Sequence, residues 1–181
     1  MKNQFKPYGD FARLYYGARD PAHDFRHIER MIGRLSMLSD GLEGVRPHFL
    51  YFLTAFHGLW LFWHDDPKFR AKAISFLQGL RWGELEIKEA TICLERHVKD
   101  PQTVEEKVVH DANYIELLGA FGIAKAFTVG GSLGQTFAET AEIFENRYLN
   151  TVNFCTPAGK RMAEEGIAYA KAFLTRLKNE W

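Results

Sequence analysis

Residues 49–63, FLYFLTAFHGLWLFW, decide the fold. The run is almost wholly apolar, yet it is shorter than the ~18 residues that a membrane-spanning helix requires, and a histidine and a glycine sit in its middle. A helix that is apolar all round and too short to cross a bilayer belongs at the centre of a helical bundle, wrapped by its neighbours. That placement makes His57 a buried polar group in need of a partner.

Outward from this rod, the pattern remains helical. Phe25, Ile28, Met31, Ile32, Leu35 and Leu38 recur at three- and four-residue intervals, and so do Leu85, Ile87, Ala90, Ile92 and Leu94. Asp20-Pro21 and Pro47 precede helical stretches, Gly41 and Gly44 separate two of them, and Pro67 opens another through Ala71, Ile74 and Leu77. Pro101 leads into Thr103 to Leu118. Gly119 and Gly122 then punctuate a shorter apolar helix that ends near Gly130-Gly131, and Pro157 to Leu177 closes the chain. With no period-2 segment and no linker, the reading is one all-α domain over residues 1–181, a bundle of about seven to nine helices.

The 181 residues, 46% hydrophobic and 25% charged, suffice for a single sizeable core. Twenty-three Lys and Arg balance twenty-three Asp and Glu, so no global charge recruits long nucleic acid or an anionic membrane, and an anionic ligand must be held locally. Cys93 and Cys155 form no metal spacing and no disulfide framework, which fits a cytoplasmic setting. The amino terminus lacks the apolar core of a signal peptide.

Four places put histidine or aspartate on helices that packing could unite: His23-Asp24 with His27, His57, His97 and Asp111. Taken singly, each fits a hydrogen-bonded core residue or cap as well as a ligand. Together they carry a resemblance. The segment from His23 to Arg30, HDFRHIER, resembles the opening motif of the HD family, with His27 at a metal-ligand position. Thr54-Ala55-Phe56-His57-Gly58-Leu59 is similar to the segment that names that family, except that glycine replaces the aspartate of the His-Asp pair. Glu106 to Phe127 is similar to the family's closing aspartate, Asp111, and the helix after it. Gly130 to Gly134 and the tail from Asn150 to Trp181 look like the end of a bacterial subgroup of small, stand-alone HD proteins.

The resemblance implies a helical metal-dependent phosphohydrolase scaffold for a small phosphorylated metabolite or nucleotide. On it His27, His57 and Asp111 would hold a divalent ion (Mn, Fe, Co, Ni, Zn or Mg), and His97 and Asp111 would serve catalysis. Such an ion acidifies its bound water for attack on a phosphate ester. Gly58 removes one oxygen donor and one negative charge, which weakens or abolishes the site. The alternative is a non-catalytic HD-fold protein that binds a ligand or partner. Oxidative chemistry at a residual two-histidine, one-carboxylate site is allowed but has no support in the residues.

His64-Asp65-Asp66 could replace the lost pair only if the helix broke at Gly58. An unbroken helix puts Asp65 ~10 Å away along the axis, so a turn before Pro67 is the simpler expectation. Val129 to Gly134 lacks the spacing of a phosphate loop and reads as a helix end. Lys160-Arg161 and Arg176-Lys178 lie among glutamates as a mixed-charge face, which offers no nucleic-acid stripe. Nothing in the sequence fixes the oligomeric state, and a homodimer is compatible with it.

Overall fold

The computed structural model describes residues 2–17 and 24–180; His23 and the Asp20-Pro21 signal lie outside the described residues. Among the described residues all regular structure is helical. The α-helices are α1 (Lys2–Tyr16), α2 (Phe25–Leu38), α3 (Pro47–Phe56), α4 (Trp60–Asp65), α5 (Pro67–Gly79), α6 (Glu84–Arg96), α7 (Val104–Tyr114), α8 (Gly119–Ser132), α9 (Phe137–Phe144) and α10 (Pro157–Lys178). A 3₁₀ turn at His57–Leu59 interrupts what would otherwise be one rod from α3 to α4. Counted as one, that pair gives nine helices among the described residues.

Every side chain from Phe49 to Phe56 is buried, so α3 is the central rod. Phe49, Phe52 and Phe56 have no solvent exposure, and burial of each contributes roughly 1.5–3 kcal/mol. Helices α1, α2, α6 and α7 pack around this rod. Asp24 caps α2 by accepting from the Arg26 and His27 amides at 3.0 and 3.3 Å, and the predicted stripe Phe25, Ile28, Met31, Leu35 and Leu38 faces the core. Gly41 and Gly44, at φ of 71° and 73°, turn the chain toward Pro47, which sits in the first turn of α3.

Helix α6 departs from expectation in its face. Leu85 and Ile92 are exposed, while Ile87, Ala90, Cys93 and Leu94 make the contact with the core. The helix expected from Thr103 to Leu118 divides. Helix α7, with the Thr103–Glu106 capping box at its start, stops at Tyr114, and a 3₁₀ turn, Ile115–Leu117, follows. The division has a packing cause. A Cβ on Gly122 would lie 2.2 Å from the Leu117 carbonyl carbon, so the turn rests directly on the backbone of α8.

Beyond this turn a second apolar cluster, which includes Leu118, Ile123, Phe144, Leu149, Phe154 and Leu174, unites α8, α9 and α10. Ile115 packs against both clusters. A π-helical turn, Glu145–Leu149, ends α9. Among the described residues no helix is long and apolar enough to cross a membrane.

Candidate functional site

A cavity of about 760 Å³ opens between the two apolar clusters, within the size range of small-molecule sites. His27, His57, His97 and Asn113 line it, together with Tyr16 and the π-turn residues Arg147 and Tyr148. At the interruption His57–Leu59 the rod tightens into a 3₁₀ turn, which changes the register of the side chains, and His57 lines this wall.

The three histidines adjoin one another. The His27 and His57 rings are 5.5 Å apart between centroids, and His57 Nδ1 lies 2.7 Å from His97 Nε2. His97 caps the C-terminus of α6, and its Nδ1 is 2.8 Å from the Leu94 carbonyl oxygen. A carbonyl can only accept, so Nδ1 of His97 carries the proton and its Nε2 offers a lone pair. His57 must then donate from Nδ1, which leaves a lone pair on its own Nε2. Both rings are neutral at pH 7. Burial pushes His97 down to about 4, and burial, then His97, His27 and Lys125, hold His57 well below the usual imidazole range.

These facts recast His97. The resemblance implies a catalytic role for it, yet a neutral ring with both nitrogens engaged neutralises no phosphate. It fixes the orientation and tautomer of His57 instead. His27 is fixed in a similar way, with Nδ1 2.9 Å from Glu116 Oε2. The fully buried Glu116 also receives Arg30 at 2.7 Å and Arg34 at 2.9 Å. Burial raises this carboxyl, but His27, Arg30 and Arg34 outweigh it and bring it down to about 2.

Asp111 does not join the histidines. Its Oδ1 accepts from the Cys155 amide at 2.9 Å, and its Oδ2 accepts from the Thr156 amide at 2.8 Å and the Thr156 hydroxyl at 2.7 Å. The carboxylate thus faces the start of α10, where the helix N-terminus favours a negative charge. Gly159 makes the approach possible, since a Cβ there would sit 2.1 Å from Oδ2. Two residues further along α7, Asn113 faces the cavity and lies within hydrogen-bonding reach of His57. Sequence reasoning missed Asn113. Its signal was its register: one turn of a helix cannot aim residues 111 and 113 at one point.

Gly58 is explained locally. Its amide donates to the Tyr16 hydroxyl at 3.0 Å, and an added Cβ would meet that hydroxyl at 2.9 Å. Tyr16 fills the space beside Gly58. Asp65 is also excluded as a replacement: the chain stays helical through α4, and Asp65 pairs with His64 in an exposed position. Asp66 caps α5. The glycine-rich segment ends α8 as expected, and Gly130 lets Thr140 approach from α9. Lys178 pairs with Glu145 and Arg176 with Glu180, in line with a mixed-charge face.

Among the described residues, the donor set at the three histidines does not fit a hydrolytic divalent metal. Gly58 and Asn113 supply no negative charge, Asp111 faces elsewhere, and Glu116 is consumed by two arginines and His27. Mn and Mg call for carboxylate oxygens, and the lining cations Lys99, Lys125 and Arg147 oppose a further positive charge. A separate group does bring metal-ligand types together: one atom each of His110, Asp111 and Cys155 lies within 4.8 Å of the others.

Comparison with solved structures shows which proteins share this fold. The chain superposes on an HD-superfamily hydrolase from Bacillus thuringiensis with TM-score 0.79, at 23% identity, covering 99% of this chain and 97% of that one. A predicted HD-superfamily hydrolase from an uncultured Thermotogales bacterium gives TM-score 0.63 at 19% identity over 100% and 92%. Bacillus subtilis YpgQ, solved in complex with ADP, gives 0.74 at 20% identity over 95% and 97%. No protein-family model and no curated protein matches the chain by sequence. The likenesses show that the chain shares the all-α fold of these HD-superfamily proteins.

Proposed function

We propose that this protein binds a small phosphorylated metabolite, foremost a nucleotide, in the three-histidine cavity, on an HD-type scaffold that has given up metal-dependent hydrolysis. The observation that carries this reading is the replacement of charge at the cavity wall. Asn113 stands beside His57 and Tyr16 fills the space at Gly58, so among the described residues the histidines have no carboxylate to share with an ion except Glu116, which Arg30 and Arg34 already engage.

The remaining chemistry suits an anion. Among the described residues, Lys99, Lys125 and Arg147 line the cavity against one acid, Glu95. Low-dielectric walls strengthen the attraction of such cations for phosphate. His57 and His27 add imidazole nitrogens, while Tyr148 and Trp60 offer ring faces for a base. The ADP bound to the structurally similar YpgQ is a nucleotide diphosphate of suitable size, and it supports the choice of ligand class.

Calorimetric titration of ADP, AMP and ribose 5-phosphate, in EDTA and again with Mn, Co, Ni or Mg, tests the reading. Binding that persists in EDTA and weakens in Arg147→Gln, with no phosphate released, is the expected result. Turnover with any added metal would restore the hydrolase reading. No binding by any of the three ligands would remove the phosphorylated-metabolite reading.

A further inference from the structure

We infer that His110, Asp111 and Cys155 form a zinc site, distinct from the cavity, that staples α7 to the turn before α10. His110 Nδ1 lies 3.2 Å from Asp111 Oδ1 and 3.9 Å from Cys155 Sγ. With Zn–N and Zn–O near 2.0–2.2 Å and Zn–S near 2.3 Å, tetrahedral coordination puts donors about 3.3–3.6 Å apart. The nitrogen and oxygen are close to that spacing, and the sulfur, 3.9 Å from the nitrogen and within 4.8 Å of the carboxylate oxygen, must close by up to about an ångström.

The ligand types select the ion. One sulfur, one imidazole nitrogen and one carboxylate oxygen suit Zn²⁺ and are poor for Mg²⁺ or Ca²⁺, which take oxygen. The carboxylate is also held in place. Thr156 fixes Oδ2 through its amide and hydroxyl, and Oδ1 accepts only one backbone amide, leaving its second lone pair toward His110. Such outer contacts orient a ligand before the ion arrives. Cys155 is partly exposed while His110 and Asp111 are buried, so the ion enters past the thiol and keeps a water as fourth ligand.

His110 Nδ1 faces the carboxylate and the sulfur together. One proton there cannot satisfy both the carboxylate and the sulfur, whereas a cation engages all three atoms at once. The site lies where the two apolar clusters meet, with the His110 ring tilted against Tyr114 and Cys155 next to Phe154 of the second cluster. Closing it joins elements 45 residues apart.

Chelator-treated protein titrated with Co²⁺ reads the site directly, through the near-ultraviolet sulfur-to-cobalt charge-transfer band. One Co²⁺ per chain with that band, displaced by Zn²⁺, is expected. Cys155→Ser should abolish the band, His110→Gln should weaken binding at least about tenfold, and His57→Gln in the cavity should leave it unchanged. In the wild type, Zn²⁺ should also shield Cys155 from alkylation, which keeps the test open if a variant fails to fold. Absence of the band and of shielding in the wild type, or a band that survives Cys155→Ser, overturns the assignment.

Discussion

Lowering the pH from 7 to 4.5 should cost this protein much of its stability through one buried ring. Unfolded, His97 titrates near 6.5; folded, burial holds it at about 4. A cationic group whose folded value is depressed leaves the unfolded chain holding more protons between those two values. Stability is therefore complete above about pH 6.5 and falls as the pH drops toward 4. A displacement of about 2.5 units at about 1.4 kcal/mol each gives a loss on the order of 3 kcal/mol by pH 4. His57, depressed in the same direction, adds to the slope. The low-lying carboxyls act in a different window, since Glu105, Glu106 and Glu116 contribute stability that is lost only below about 4.5. Urea unfolding at half-unit steps from pH 7.5 to 4 should thus show its decline beginning near 6.5. The His97→Gln variant should start less stable and decline more gently over the same range. NMR titration of the His97 ring should place its midpoint near 4. A flat profile between pH 6.5 and 4.5, or a His97 midpoint above 6, would refute the neutral His57–His97 pair and the tautomers inferred from it.

Asp111→Asn removes the charge that holds the start of α10, and calorimetric unfolding should show a loss of about 2–4 kcal/mol. Glu116→Ala leaves Arg30, Arg34 and His27 without their common partner; a loss of roughly 3–5 kcal/mol is expected by urea unfolding. Gly58→Asp alone should lower stability by about 1–3 kcal/mol, because the new side chain meets Tyr16, without conferring tight Mn²⁺ binding. Paired with Asn113→Asp it should bind Mn²⁺ at least about tenfold more tightly than either single variant, as read by titration calorimetry; equal binding by the single and double variants would show that Asn113 is not the missing ligand position.

The helical architecture was legible because its signals are local and strong. The apolar rod at residues 49–63, the stripe from Phe25 to Leu38 and the prolines at 47, 67 and 157 each act through their own element. Helix α1 gave a weaker signal because Pro7 and Gly9 interrupt its pattern, and its helicity rests on Phe5, Tyr8, Ala12 and Tyr16 packing against the core. The split at Ile115–Leu117 was not legible, since the close approach of Leu117 to Gly122 of α8 accompanies it rather than a local signal, and the π turn at Glu145–Leu149 left no pattern in the sequence.

At the site, the adjacency of His27, His57 and His97 followed from their helices. The orientation of Asp111 did not, because Thr156, 45 positions later, captures it. Gly58 stands where the resemblance expects a carboxylate, and the folded chain shows that Tyr16 fills the space beside it.

That occupant ties the beginning of the chain to the cavity. The Tyr16 hydroxyl accepts from the Gly58 amide and donates to the Ala55 carbonyl at 3.2 Å, so the last residue of α1 mends the backbone ladder where the central rod is broken. Removing residues 2–16 would take the Tyr16 hydroxyl away from two peptide groups beside His57 and open the wall they belong to. Hydrogen exchange at Gly58 should then report on the docking of a segment more than forty residues upstream.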